Sequence, residues 1–237
     1  MYRIKSGGLI NRNKELNFSF NGKNLVGYEG DTLSSALLGS GIHLVGRSFK
    51  YHRPRGIFSS GSEEPSALVQ LDEKNFTEPN IRATTVKLFD GLVSNSQNHF
   101  GSLSWDFMRI NDYLSTFLSA GFYYKTFMWP KAFWEKVYEP IIRNAAGLGK
   151  LSKESDPSTY DKGYLHCDLL VIGAGPAGLY SALIAARTGA KIIVVDEDFI
   201  LGGSFNGENI KINDNICSDW VKSILSELNS LKNVRLM

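Results

Sequence analysis

The segment from Asp168 to Asp196 constrains the fold of this chain more than any other feature. An apolar run leads into the turn GAGPAG (173–178), an alanine-rich stretch follows, and a second apolar run ends on Asp196. Strand, glycine turn, helix, strand and acid in this order are typical of a dinucleotide-binding βαβ unit. The sequence therefore predicts an α/β fold whose C-terminal part is a Rossmann-type domain.

The glycines of this turn have separate predicted roles. Gly173 permits the tight turn out of the strand, Gly175 lets the backbone approach a pyrophosphate, and Gly178 allows close packing of helix on sheet. The anion is expected at the helix N-terminus, where unpaired N–H groups and the helix dipole offset its charge. The turn thus supplies the predicted cofactor-binding residues Gly173, Ala174, Gly175, Pro176, Ala177 and Gly178.

Asp196 lies about where an acid that accepts from an adenosine ribose hydroxyl is expected. Glu197 follows directly, so the sequence does not decide whether Asp196 or Glu197 contacts the ribose. An acid rather than an arginine favours NAD or FAD over NADP, and NAD and FAD use the same turn and the same acid. The glycine pair Gly202–Gly203 either brings the chain close to the cofactor or forms an ordinary turn.

Composition excludes several classes of function. The net charge is +2, and the one basic concentration, between Arg47 and Arg55, is short, so no nucleic-acid partner is expected. We interpret this basic segment as a solvated loop or a contact with an acidic partner or an anionic cofactor. Apolar runs are too short for a membrane span or signal peptide, which predicts a cytoplasmic protein without membrane contact. The two cysteines and four histidines have no metal-ligand spacing.

Three regions are predicted along the chain. Residues 1–98 combine an Asn21-Gly22 hairpin, a short helix from Asp31 or Thr32, and strands at 67–71 and 82–89, the order of a β-grasp, ferredoxin-like domain. Residues 99–162 are an aromatic-rich helical connector, part of which is a candidate subunit interface. Residues 163–237 are an incomplete dinucleotide-binding domain, because the sequence stops in a third strand and leaves apolar sheet surface uncovered.

Three segments carry a resemblance to a known family. They are GDTLSSALLGSGIHLVGRSFKYHRPRGIFSSGSEEPSALVQL (30–71), AGFYYKTFMWPKAFWEKVYEPIIRNAAGLGKLS (120–152) and CDLLVIGAGPAGLYSALIAARTGAKIIVVDEDFILGGSF (167–205). Over essentially its whole length the chain resembles the N-terminal part of the α subunit of heterotetrameric sarcosine oxidase. Gly173, Gly175 and Gly178 match the family's pyrophosphate turn, Asp196 matches its ribose acid, and Gly202, Gly203 and Ser204 match the segment after the second strand.

The resemblance implies a β-grasp domain followed by a domain that holds NAD, with FAD as the alternative at the same motif. It also implies partner β, γ and δ subunits, FMN at the interface with the β subunit, and oxidative demethylation of sarcosine with electrons passing to oxygen. Tetrahydrofolate would be used only by a C-terminal part that this sequence lacks. No catalytic residue is carried over, because the amine-oxidising site belongs to another subunit.

One departure from related proteins concerns the first region. Ile42 to Arg55 stands where two-iron ferredoxins and some related subunits place cluster cysteines, and it holds none, so we expect no iron–sulfur cluster. Two other functions stay open from the sequence: a non-catalytic truncated module for interaction or assembly, and a subunit of a related amine or opine dehydrogenase. In either case the isolated chain is expected to be inactive.

Overall fold

The computed structural model describes residues 2–73, 76–118, 120–121, 129–149, 151–155, 158–212 and 214–237. The chain divides into two compact units, Met1–Pro157 and Ser158–Met237, and both combine helices with strands. Most of the predicted connector 99–162 falls within the first unit, and the division into three regions stays a prediction. The connector aromatics Phe122, Tyr123, Tyr124 and Phe127 lie outside the described residues.

The first unit is built on a five-stranded sheet. Its strands are β1 (Asn11–Phe20), β2 (Lys23–Glu29), β5 (Leu68–Glu73), β6 (Phe76–Arg82) and β7 (Leu92–Ser96), in the order β2-β1-β7-β5-β6. β1 and β7 run parallel, and the other neighbours are antiparallel. A separate two-stranded ladder pairs β3 (Gly46–Arg47) with β4 (Pro54–Arg55).

Local sequence chemistry explains the first hairpin and the first helix. Asn21 and Gly22 have φ values of 51° and 73°, the positive angles that a two-residue turn between β1 and β2 favours, so the predicted hairpin is confirmed. Helix α1 (Leu33–Gly39) begins after Thr32, whose side chain accepts from the Ser35 N–H at 3.1 Å. The Ser35 hydroxyl accepts from the Thr32 N–H at 3.0 Å, which completes a capping box.

The strand predicted over residues 82–89 is wrong. Arg82 ends β6, and the following residues cross the start of α1, where the carbonyls of Ala83 and Val86 accept from the N–H groups of Ser34 and Leu33. These helix N–H groups have no partner inside the helix, so the crossing segment satisfies them instead of joining the sheet. On the side of β1 opposite β2, the neighbouring strand is β7. β7 begins at Leu92, ten residues after Arg82.

The core of the first unit lies between this sheet and α1. Phe18 and Phe20 point inward from alternate positions of β1, and Leu33 and Leu37 face them from the helix. After β7 the chain forms α2 (Ile110–Tyr113), a π-helical turn (Trp134–Tyr138) and α3 (Glu139–Ala146). Aromatic side chains of this connector are largely exposed, among them Phe117 (80%) and Trp129 (82%).

The second unit is a three-stranded parallel sheet with two crossover helices. β8 (Leu169–Ile172), β9 (Ile192–Val195) and β12 (Val234–Leu236) lie in the order β12-β9-β8, and α4 (Pro176–Arg187) connects β8 to β9. A short ladder, β10 (Lys211–Ile212) and β11 (Asn215–Ile216), leads into α5 (Cys217–Ser230), which precedes β12. Parallel strands need such crossovers, and helices usually form them.

Helices α4 and α5 cover the buried positions of this sheet. The core contains Leu179, Leu183, Val194, Ile224 and Leu228. Three apolar residues of β8 are nevertheless exposed, with Ile172 at 80%, Leu170 at 50% and Leu169 at 39%. The predicted uncovered sheet surface is therefore present on β8. Within the described part of the chain, no helix combines the length and apolar character that a membrane span requires.

Candidate functional site

The glycine turn between β8 and α4 is closed by backbone hydrogen bonds. Gly173 has a φ of 97°, a left-handed value that favours glycine, and its N–H donates to the Val195 carbonyl at 2.8 Å. The Leu179 N–H donates to the Gly175 carbonyl at 2.9 Å and begins the helix. These two bonds hold the turn at the carboxyl end of β8, beside the end of β9.

Gly178 lies where the helix and the turn approach most closely. A Cβ at this position would overlap the carbonyl oxygen of Gly173 and would lie 3.3 Å from a methyl carbon of Val171. A Cβ at Gly175, in contrast, would meet nothing within 4 Å. The packing of the unit therefore requires glycine at position 178, whereas the space in front of Gly175 is open.

The free space in front of Gly175 lies at an uncapped helix N-terminus. Gly175 is the N-cap residue of α4, no side chain makes a capping hydrogen bond there, and Pro176 occupies the first turn of the helix. The N–H groups at such an end have no intrahelical partner, and the helix dipole adds partial positive charge. Ala177 is exposed at the same end. The arrangement suits a bound anion such as a pyrophosphate.

Asp196 is placed at the turn, with its carboxylate directed to backbone N–H groups. Oδ2 accepts from the Ala174 N–H, and Oδ1 accepts from the Asp198 N–H at 2.8 Å. Asp196 thus ties the end of β9 to the glycine turn. Its oxygens keep further acceptor capacity, and the neighbouring Glu197 side chain is exposed, so the choice between these carboxylates stays open.

The segment after β9 returns to the glycine turn. The sequence allowed either such a close approach of Gly202–Gly203 or an ordinary turn. The Gly202 N–H donates to the Ala174 carbonyl at 2.9 Å, and a Cβ on Gly203 would lie 3.2 Å from the Cα of Gly175. Ser204 is exposed in the following 3-10 turn, Gly203–Asn206. The structure therefore brings together Gly173–Gly178, Asp196 and Gly203 around one turn.

An aromatic contact supports this returning segment. The sequence analysis did not predict it. The rings of Phe205 and Trp220 meet edge to face at 5.5 Å, and Tyr180 of α4 lies 6.4 Å from Trp220. Trp220 is partly buried against the core of the unit. In the sequence, Ile216, Trp220, Ile224 and Leu228 recur at helical spacing, which is a signal for Trp220. Its partners lie 15 and 40 residues earlier in the sequence, and only the fold joins them.

A second arrangement of converging N–H groups lies in the first unit, around Glu64. This carboxylate is 1% exposed and accepts from four backbone N–H groups: Phe58 at 2.7 Å, Ser59 at 2.6 Å, Ser66 at 2.7 Å and Ala67 at 3.0 Å. Burial raises the pKa of Glu64, but the four donors together outweigh that effect and hold the pKa below its ordinary value of 4.5. The loop 58–67 is therefore organised around a buried negative charge.

Both units contain segments that are similar to known protein families. Residues 13–99 match a family described as a 2Fe-2S iron-sulfur cluster binding domain, and residues 168–230 match FAD dependent oxidoreductases. The sarcosine oxidase α subunit of Rhizobium meliloti (strain 1021) is 53% identical over 236 residues, which is 100% of this chain and 24% of the relative. The resemblance to sarcosine oxidase α subunits is confirmed.

A second sarcosine oxidase α subunit and one solved structure are also similar to this chain. The sarcosine oxidase α subunit of Corynebacterium sp. (strain U-96) is 33% identical over 94% of this chain and 18% of its own length. The crystal structure of L-proline dehydrogenase from P. horikoshii aligns with a TM-score of 0.59 at 20% identity and covers 95% of this chain and 33% of that one. This chain spans about a quarter or less of the length of the sarcosine oxidase α subunits it matches.

The comparisons correct the expected cofactors. The expectation of no iron–sulfur cluster is contradicted, because residues 13–99 match a cluster-binding family. The preference for NAD at the glycine turn is corrected to FAD, because the family matched there is FAD dependent. Within the described residues, no group of three or more His, Cys, Asp or Glu side chains is placed to hold a metal ion.

Residues 13–99 contain no cysteine that could hold a 2Fe-2S cluster. Such clusters are held by four Cys thiolates, or by two Cys and two His in one class. Both cysteines of this sequence, Cys167 and Cys217, lie outside that segment. The anion that the backbone N–H groups of loop 58–67 surround is the Glu64 carboxylate. The residues present therefore do not fit a thiolate-held cluster.

Proposed function

We propose that residues 163–237 bind FAD as part of a Rossmann-type domain, with the pyrophosphate at the N-terminus of α4. The observation that carries this proposal is the turn itself: Gly175 has open space where a Cβ would be, at an uncapped helix N-terminus. Both features favour the close approach of a phosphate. The match of residues 168–230 to FAD dependent oxidoreductases supports FAD as the nucleotide.

The proposed binding residues have distinct roles. The backbone of Gly173, Ala174, Gly175, Pro176, Ala177 and Gly178 forms the pyrophosphate turn, and Asp196 or Glu197 accepts from the ribose. Gly203 and Ser204 close the site from the returning segment, which supports this role by its contact with Gly175. Bound FAD would supply a flavin that accepts two electrons. The residues of this chain bind and orient it, and none of them is proposed as catalytic.

We propose for the first unit a β-grasp domain over residues 1–98, followed by the connector 99–162. A hairpin, a helix and a strand that returns parallel to β1 support this assignment. The exposed aromatic side chains of the connector support a role in contacts with other subunits, since aromatic residues are enriched at interfaces. A cytoplasmic location stays a prediction from the sequence.

For the whole protein we propose a sarcosine oxidase-like α subunit that acts with β, γ and δ subunits in the oxidative demethylation of sarcosine. The 53% and 33% identities to sarcosine oxidase α subunits support this function. Electrons from the amine would pass to oxygen. Any use of tetrahydrofolate would belong to the large share of those subunits that this chain does not span.

The cofactor proposal predicts that Gly175→Val weakens FAD binding without unfolding the second unit. A valine side chain would enter the open space at the turn and exclude the pyrophosphate, while the φ of −69° at this residue accommodates it. We expect the Kd for FAD to rise about tenfold or more, equivalent to about 1.4 kcal/mol or more. Titration of the purified chain with FAD, followed by flavin fluorescence, measures the change.

Gly163→Val is the matched control for Gly175→Val. Gly163 lies in the same unit, and a Cβ there also meets nothing within 4 Å, but it is remote from the turn in sequence and exposed. FAD affinity is expected to stay unchanged in this control. Equal affinity in both variants would contradict the turn as the binding site. Binding of NAD+ in place of FAD would contradict FAD as the proposed nucleotide but would leave the glycine turn as the binding site.

The proposed activity predicts a flavin-containing complex around this protein in its native cells. Affinity purification through the chain is expected to recover further subunits and sarcosine-dependent oxygen consumption with release of formaldehyde. Native mass spectrometry then reports the masses of the subunits and cofactors. A purified chain with no flavoprotein partner and no sarcosine-dependent oxygen consumption would favour a non-catalytic module.

A further inference from the structure

A cavity of about 390 Å³ lies in the first unit, between the β3–β4 ladder and the end of β7. Its walls come from residues 46–55, from the start of β5 with the residues before it, and from Gln97 and Asn98. Its volume falls in the range of small-molecule sites, about 300 to 1,000 Å³. All of its lining residues belong to the first unit, whereas the glycine turn belongs to the second.

The lining of this cavity is strongly positive. Four cationic side chains, Arg47, Lys50, Arg53 and Arg55, line it, and among the described lining residues there is no Asp or Glu. The Arg53 guanidinium pairs with Asp112 at 2.7 Å. Arg55 is exposed and has no carboxylate partner among the ion pairs of the described residues. A concave surface with this excess of one charge attracts anions.

Arg47 adds a fixed charge to the cavity because carbonyl groups, rather than carboxylates, hold it. Its Nε and Nη2 donate to the Leu103 carbonyl at 2.9 and 2.6 Å, and Nη2 also donates to the Ser104 carbonyl at 3.1 Å. Nη1 donates to the His52 carbonyl at 3.2 Å, and the residue is 6% exposed. Carbonyl dipoles satisfy the hydrogen bonds of the guanidinium but leave its net charge in place.

Two aromatic residues contribute flat apolar surface to the same cavity. The Tyr51 ring lies 5.0 Å from Lys50 Nζ and 4.8 Å from the Arg53 guanidinium carbon, and its hydroxyl donates to the Leu118 carbonyl at 2.9 Å. Phe49 lines the cavity and is 43% exposed. Tyr51 is half-buried. Cations, an exposed ring and a half-buried ring in one cavity suit a ligand that combines an anionic group with a planar ring.

The loop that carries these residues is held in place before any ligand binds. His52 has a φ of 52°, is 2% exposed, and contacts Asp106 Oδ2 through Nδ1 at 2.6 Å. The Ser48 N–H donates to the Arg53 carbonyl, and the His52 N–H donates to the Ser48 carbonyl, both at 3.0 Å. A preorganised loop loses little conformational entropy when a ligand binds.

We propose that this cavity binds an organic phosphate with an aromatic ring, of the size of a nucleoside 5′-monophosphate. The phosphate contacts the guanidinium of Arg55, and the ring packs on Phe49 or Tyr51. The proposal is independent of FAD at the glycine turn, because it uses different residues of a different unit. From the sequence, the basic segment 47–55 was either a solvated loop or a contact with an acidic partner or an anionic cofactor. The proposal assigns a specific class of ligand to this segment.

The test measures AMP binding by calorimetry in the full chain that carries Gly175→Val, so that the glycine turn does not contribute. In that background Arg55→Gln is expected to raise the Kd for AMP about tenfold or more, as loss of one charge-assisted hydrogen bond predicts. Arg55→Lys is expected to retain part of the affinity, because it keeps the charge. Lys23→Gln removes an equal charge on a strand outside the cavity and is expected to leave the Kd unchanged.

Adenosine and inorganic phosphate separate the two parts of the proposed ligand. Both are expected to bind at least about tenfold more weakly than AMP, because each lacks one of the two contacts. Adenosine that binds as well as AMP would overturn the role of the charges, and phosphate that binds as well would overturn the role of the rings. Absence of AMP binding, or equal losses in Arg55→Gln and Lys23→Gln, would overturn the site.

Discussion

Gly178→Ala is expected to unfold the second unit, by destabilising it by about 3 kcal/mol or more. The added methyl group would overlap the carbonyl oxygen of Gly173, which is backbone and has no rotamer through which to move away. Relief of this overlap would require α4 to separate from β8, which disrupts the contacts of Leu179 and Ala182 with the core. Faster hydrogen exchange in β8 and β9, with the first unit unchanged, is the expected result.

Gly175→Ala provides the matched comparison for Gly178→Ala. The same methyl group is added three residues earlier in the same turn, at a position where it meets nothing within 4 Å. We expect hydrogen exchange in β8 and β9 to match that of the unaltered chain, with weaker nucleotide binding as the only effect. Exchange in Gly178→Ala as slow as in Gly175→Ala would show that the close approach of helix and turn is not required.

Glu64→Gln is expected to destabilise the first unit by about 3 kcal/mol, because buried donors left unsatisfied cost about 1–3 kcal/mol each. The glutamine amide group would supply one acceptor oxygen, and its NH2 would face two of the four backbone N–H donors. Hydrogen exchange around loop 58–67 measures the loss. Glu63→Gln is the control, because Glu63 is the exposed neighbour, and no change is expected there.

The stability that Glu64 contributes is expected to depend on pH. Its pKa in the folded chain lies below the ordinary value of 4.5, so the unfolded chain binds more protons when the pH falls through this range. The contribution is therefore fully present above the unfolded-state pKa, and it is lost as the pH falls through the lowered folded-state pKa. The difference in unfolding free energy between the unaltered chain and Glu64→Gln should shrink on acidification. A difference that stays constant would show that the charge of Glu64 does not cause the effect.

Much of the local structure could be predicted from the sequence, because it depends on residues close together in the chain. The Asn21-Gly22 turn, the cap of α1 at Thr32 and the glycine turn 173–178 all follow from backbone angles and hydrogen bonds within a few residues. The order of strand, helix and strand around the glycine turn was predictable for the same reason. These local patterns also carried the resemblance to sarcosine oxidase α subunits, which the comparisons confirm.

Contacts between residues that are distant in the sequence were harder to predict. Residues 82–89 have the composition of a strand, yet their carbonyls satisfy the start of α1, and β7 takes the place in the sheet. Asp196 was predicted as a ribose ligand, but its bond to the Ala174 N–H across 22 residues appears only in the folded chain. Glu64 gave no signal in the sequence, because nothing in its neighbours shows that four backbone N–H groups converge on it.

Local sequence patterns are enough to recognise a glycine turn suited to a dinucleotide, an N-terminal hairpin and helix, and a short basic segment. Only the folded chain shows where a charge is buried, as at Glu64, and which cationic side chains line one cavity, as beside Arg55. The physical reason is that turns and caps are satisfied by neighbours in the chain. The partners of a buried charge are whichever donors and acceptors the whole fold leaves unpaired nearby.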